Sequence, residues 1–140
     1  MTDRDQFVDM AACGAKLAAR NAVPGGAERY DTSAMPWVVF TDPQVAGVGM
    51  TGAEAIAAGH SVKTSVPGLD NVPRALAARD TRGTIKPVAD ARTDRLPGGV
   101  IAAPEGSDSV QTLALALKFG LTTKALGETL FPYLTTVAGF

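Results

Sequence analysis

One cysteine, Cys13, and one histidine, His60, are the chain's whole supply of thiol and imidazole. A single thiol cannot close an intramolecular disulphide, which excludes an oxidative scaffold and a self-contained dithiol redox centre. Cys13 stands in an alanine-rich apolar stretch with nothing electropositive beside it to activate the thiol, so it is expected to be a small, inert, buried hydrophobe. His60 follows a glycine helix stop and is expected to be solvent-exposed, because a metal site needs several convergent donors. No Gly-x-Gly-x-x-Gly turn follows any strand-like run, so the glycine-rich approach to a dinucleotide pyrophosphate is missing. No catalytic residue, cofactor-binding residue or metal ligand is therefore expected. The remaining feature is the run Leu130-Phe131-Pro132-Tyr133-Leu134-Thr135 near the C-terminal end. Read from the residues alone, Tyr133 packs beside Phe131 and Leu134 with its hydroxyl at the surface. Asp70, Asn71 and Arg74 form either a turn with a structural ion pair or a contact with a partner subunit.

The scaffold that must hold these residues is bounded by composition. A chain of 140 residues suits one globular domain with one core. A hydrophobic share of 46% with 19% charged residues argues against intrinsic disorder. Thirteen Lys and Arg against fourteen Asp and Glu leave a formal charge of -1, and no basic cluster tracks a phosphate backbone. Nucleic acid is not an expected partner. No apolar run approaches the roughly 20 residues that span a bilayer, and the start is too polar for a signal peptide, so no membrane contact and a cytoplasmic location are expected.

Periodicity then gives the elements. From Asp5 to Asn21 the residues Phe7, Met10, Ala11, Leu17 and Ala18 form an apolar stripe at helical spacing, interrupted by Gly14, which would let another backbone pack closely. Gly25 to Pro36 reads as a connector. Trp37-Val38-Val39-Phe40-Thr41 is apolar on both faces, as in a central strand, and Val45 to Gly49 suits a second after the Asp42-Pro43 turn; both should be buried. Thr51-Gly52-Ala53-Glu54 has capping-box spacing, with Gly59 closing a short helix over 52–58. Val62, Thr64 and Val66 alternate with Lys63 and Ser65 as in a half-exposed strand. Thr84 to Ala89 and Gly98 to Ala103 look like a hairpin, its first strand placed at a sheet edge by Pro87. Ser107 is expected to cap a helix carrying Val110, Leu113, Ala114 and Leu117 and stopping at Gly120. Thr122 caps another, with Leu126 and Leu130 on its inner side. The expected fold class is α+β, a mostly antiparallel sheet with helices packed on it and one extra N-terminal helix.

Several of these runs also carry a resemblance. Val38-Val39-Phe40-Thr41-Asp42-Pro43-Gln44-Val45-Ala46, Leu69-Asp70-Asn71-Val72-Pro73-Arg74-Ala75-Leu76-Ala77, Asp80-Thr81-Arg82-Gly83, Ala103-Pro104-Glu105-Gly106 and Phe131-Pro132-Tyr133 together resemble the C-terminal domain of mercuric reductases, flavoenzymes of the pyridine nucleotide-disulphide oxidoreductase family. The resemblance implies the dimerisation domain of FAD/NAD-linked reductases over 31–140. It implies that 1–30 is the end of a flavin domain and its connector. A homodimer follows first, with Phe131, Pro132, Tyr133 and Leu134 at its interface.

The chemistry of those relatives is only partly represented. Their redox-active cysteine pair and C-terminal vicinal pair have no counterpart here. Many relatives carry a His-Pro-Thr-x-Ser-Glu acid/base motif where this chain has Phe131-Pro132-Tyr133-Leu134-Thr135-Thr136, a replacement typical of mercuric reductases. Tyr133 is the one position that inherits a substrate role by resemblance. FAD and NADPH belong to the full-length relatives and are not expected in this chain. The leading expectation is a dimerisation and interaction domain without redox activity by itself. The alternative is part of a Hg(II)-reducing flavoenzyme that acts only with a flavin-bearing partner and lends it Tyr133.

Overall fold

The computed structural model describes residues 6–140, so Asp5, the expected start of the first helix, lies outside the described residues. Two compact units divide the chain, Met1–Thr32 and Ser33–Phe140. The first contains helix α1, Val8–Asn21. Its half-buried positions are Met10, Gly14, Leu17 and Asn21, which recur at helical spacing, whereas Phe7, Ala11 and Ala18 are exposed, against expectation. The reason is Tyr30. Its ring covers Gly14, where a Cβ would come within 3.2 Å of Cζ, and its hydroxyl donates to the Met10 carbonyl. Gly14 thus admits a side chain from the connector. Asn21 closes the same unit by exchanging two 2.9 Å hydrogen bonds with the backbone of Glu28.

The second unit is built on a five-stranded sheet in the order β1-β2-β5-β4-β3. The strands are β1 Pro36–Val39, β2 Gln44–Gly49, β3 Val62–Thr64, β4 Thr84–Asp90 and β5 Gly98–Ala103, and every pairing is antiparallel. Ala46 pairs with Ile101 and Ile101 with Ile85, which sets three fully buried side chains in one row across the sheet. Helix α4, Gly106–Lys118, lays Val110, Leu113, Ala114 and Ala116 into the core that this row begins. The short helix α3, Pro73–Ala78, and the 3-10 turn Leu69–Asn71 before it add Ala75 and Leu69. The α+β class and the antiparallel sheet are as the sequence implies. Among the described residues no helix is long and apolar enough to cross a membrane.

Local signals located several ends correctly. In helix α2, Gly52–Ala57, Thr51 Oγ1 accepts from the Glu54 amide and Glu54 returns a 2.8 Å bond to the Thr51 amide, completing the capping box. Thr122 caps helix α5, Thr123–Gly127, by accepting from the Ala125 amide. The β4–β5 hairpin forms as its alternation implies.

Other expectations are overturned. β1 is an edge strand rather than a central one; it ends at Val39, and Phe40 beyond it is 76% exposed. β4 is interior rather than at an edge. Pro87 fits there because alternation turns its nitrogen to the side where the Ile85 amide bonds the Pro67 carbonyl, and β3 pairs only as far as Thr64 with Val88. No ladder bond is lost. Ser107 is not the cap of α4: Glu105 holds the N-cap position, and Ser107 donates its amide to Gln44 Oε1 at 2.8 Å. Leu126 is buried as expected, but α5 stops at Gly127, which leaves Leu130 97% exposed.

Candidate functional site

Beyond α5 the chain makes a small excursion fixed at both feet. Phe131 packs against the core at one end. At the other, Thr136 is buried and begins the 3-10 turn Thr136–Gly139. Gly139 lies so close to Val72 and Ile85 that a Cβ would meet their side chains at 2.7 and 2.9 Å. Between the feet, Pro132, Tyr133 and Leu134 are exposed, Tyr133 at 78%. Thr135 Oγ1 donates to the Pro132 carbonyl at 2.7 Å and closes the loop. Leu134 takes φ of 61°, a left-handed conformation that costs a residue with a Cβ roughly 1 to 2 kcal/mol. The four interface candidates therefore divide: Phe131 anchors, while Pro132, Tyr133 and Leu134 face outward.

The foot at Thr136 joins a charge cluster that sequence reasoning missed. Glu105 accepts from Arg74 Nη2 through Oε1 at 2.8 Å and from the Thr136 hydroxyl through Oε2 at 3.0 Å. Arg74 lowers the carboxyl's pKa first, Thr136 lowers it second, and burial opposes them. The same hydrogen bond and then the carboxylate's charge raise the Arg74 pKa. Asp70 stays out of this pair and accepts from Asn71 Nδ2 at 2.9 Å instead. Arg74 and Glu105 were each inside a recognised run, but their 31-residue separation gives no local signal.

Further charge clusters stand elsewhere in this unit. Arg82 bridges Asp80 at 2.7 Å and Asp42 at 3.0 Å; its hydrogen bonds to Asp80, side-chain first and backbone second, lower that carboxyl to about 2. His60 is half-buried rather than solvent-exposed, because its Nδ1 lies 2.7 Å from Asp90 Oδ2. They line an open cleft of about 630 Å3 with Arg92, Arg95 and Leu96. Tyr133 is not in it.

Cys13, expected to be buried, is exposed in α1, because the half-buried stripe of that helix runs beside it rather than through it. Among the described residues no group of three or more His, Cys, Asp or Glu could hold a metal ion. A pyrophosphate cradle of the glycine-turn type sits inside a parallel β-α-β unit, whereas among the described residues every strand pairing is antiparallel. What the geometry offers is a rigidly mounted apolar loop carrying one phenol.

The dimerisation-domain profile of the pyridine nucleotide-disulphide oxidoreductases matches residues 35–139. Mercuric reductase from Acidithiobacillus ferrooxidans is 50% identical over 138 residues, 99% of this chain and 25% of that protein. Mercuric reductase from Bacillus cereus is 45% identical over 139 residues, 99% of this chain and 22% of its own length. The chain thus spans about a quarter of the length of these curated relatives. Among solved structures, LpdA from Mycobacterium tuberculosis superposes with a TM-score of 0.86 at 25% identity, covering 99% of this chain and 30% of that one. The HOCl-induced flavoprotein disulfide reductase RclA from Escherichia coli shares the fold with a TM-score of 0.86 at 23% identity, covering 95% and 31%.

Proposed function

Because the chain belongs to the dimerisation-domain family of the pyridine nucleotide-disulphide oxidoreductases, we propose that it forms a homodimer through the loop at Phe131, Pro132, Tyr133 and Leu134, without redox activity by itself. The observation that carries the reading is the loop's construction. A protein surface rarely holds Tyr133 and Leu134 exposed together on a segment fixed at both ends, with Leu130 exposed just before its first foot, unless that patch is a contact. Covering the phenol ring and the leucines would remove apolar area at about 25 cal/mol per Å2. Sedimentation equilibrium at micromolar concentration is the test. A dimer weakened by Tyr133→Ala and Leu134→Ala is expected. A chain that stays monomeric, or a dimer indifferent to both changes, would remove the reading.

The exposure of Tyr133 favours a second role for the same loop. In a mercuric reductase-like assembly, a dimer would carry this phenol toward the active site of the other subunit, whose flavin-bearing region would supply electrons and thiolates. Hg(II) is soft and its affinity is dominated by thiolates, so Tyr133 would orient or transiently contact the ion as substrate rather than hold it. In this reading residues 1–30 are the end of a flavin domain. Mixing the chain with a flavin-bearing reductase fragment and following Hg(II)-dependent NADPH oxidation tests it. Stimulation by the native chain and a loss with Tyr133→Phe are expected; no stimulation by the native chain would refute it.

A further inference from the structure

Glu105 occupies an unusual position for a helix-capping residue. It stands at the N-cap of α4, yet its side chain makes no capping bond to the helix. Both carboxylate oxygens are instead turned to other segments: Oε1 to Arg74 in α3 and Oε2 to Thr136 at the foot of the exposed loop. The mounting of Glu105 is rigid. Its carbonyl accepts the Ser109 amide at 3.0 Å in the first turn of α4, and buried Ala103 ends β5 two residues earlier. A second contact repeats the link between α3 and the tail: Gly139 is packed against Val72, the residue before α3. With Thr136 buried, its hydroxyl has no solvent to replace a lost acceptor.

We propose that Glu105 is the positioning residue of the interface, a carboxylate clamp that fixes the Pro132-Tyr133-Leu134 loop to α3 and so presents Tyr133 and Leu134 to the second copy of the chain. The proposal rests on the homodimer reading for its consequence and on the two hydrogen bonds for its geometry. Two donors require two acceptor oxygens held in one orientation. A carboxamide keeps one acceptor and turns a donor to the other partner. Glu105→Gln therefore removes the charge from both bonds and obliges the Thr136 hydroxyl to reverse from donor to acceptor, at nearly constant shape, which loosens the C-terminal foot of the loop. An unpinned loop must be ordered at the moment of association, which lowers affinity without removing any contact residue.

The test combines hydrogen exchange across 130–139 with sedimentation equilibrium, on the native chain, Glu105→Gln, Thr136→Val and Thr136→Ser. Glu105→Gln and Thr136→Val are expected to accelerate exchange in 130–139 while β2 and β5 keep their protection, and to weaken the dimer roughly tenfold. Thr136→Ser retains the hydroxyl and is expected to behave as native. If the native chain dimerises but both disabling variants match it in exchange and affinity, the clamp is overturned. If the native chain is monomeric while the variants still loosen 130–139, the clamp's geometry stands and the homodimer reading falls. Should Glu105→Gln fail to fold, the Thr136→Val and Thr136→Ser pair decides, since a hydroxyl is its essential difference.

Discussion

His60 Nδ1 lies 2.7 Å from Oδ2 of Asp90, a buried carboxylate at the end of β4. The bond from His60 is the largest influence that lowers the Asp90 carboxyl from 3.8 to about 2; the Arg92 amide follows, and the Thr93 amide and Arg92 charge contribute less. A carboxyl whose folded pKa is depressed stabilises the fold above its unfolded value and loses that contribution as pH falls through the folded one. The window for Asp90 is therefore from 3.8 down to about 2. Urea melts of the native chain and Asp90→Asn across this window should converge as pH falls. A stability difference that stays constant with pH would show that the Asp90 charge is not the source.

Trp37 lies over Gly47, its cross-strand partner, and gives a core-independent test of the sheet. A Cβ at Gly47 would stand 2.5 Å from Cζ2 of the indole, so Gly47→Ala must displace the ring or spread β1 from β2. Overpacking of this kind costs about 1 to 3 kcal/mol. Trp37 is the only tryptophan, so its fluorescence reports the displacement directly. Chemical denaturation should show that loss together with a shifted emission maximum; native stability with native emission would contradict the stacking.

The parts of this fold legible in sequence are those whose cause is local. Thr51 and Glu54 are three positions apart, and each satisfies the other's amide, so the capping box is written in the chain itself. Strand order is not local. Trp37-Val38-Val39 has the same apolar character at an edge as at a centre, because Gly47 shelters the indole from below. Pro87 likewise signals an edge only if β3 extends beside it, and β3 stops first. For the site, Phe131 to Leu134 stood out by composition, whereas Glu105 did not. Its partners lie 31 residues away in each direction, and only the packing of α3 and the tail against the same sheet brings them together.

Leu134 allows the loop's geometry to be tested apart from its function. Its φ of 61° suits glycine and penalises any residue with a Cβ. Leu134→Ala and Leu134→Gly remove the same apolar side chain beyond Cβ, so both should weaken self-association similarly. Their folding stabilities should differ in an unusual direction. Alanine keeps the left-handed penalty of roughly 1 to 2 kcal/mol. Glycine relieves it, while greater freedom of the unfolded chain offsets about 0.4 to 1 kcal/mol of the gain. Leu134→Gly should therefore be the more stable of the two by about 0.5 to 1 kcal/mol. Thermal or urea unfolding of the matched pair measures the difference. If Leu134→Ala proves the more stable, the loop in solution does not hold Leu134 in the left-handed region, and the rigid presentation of Tyr133 beside it loses its support.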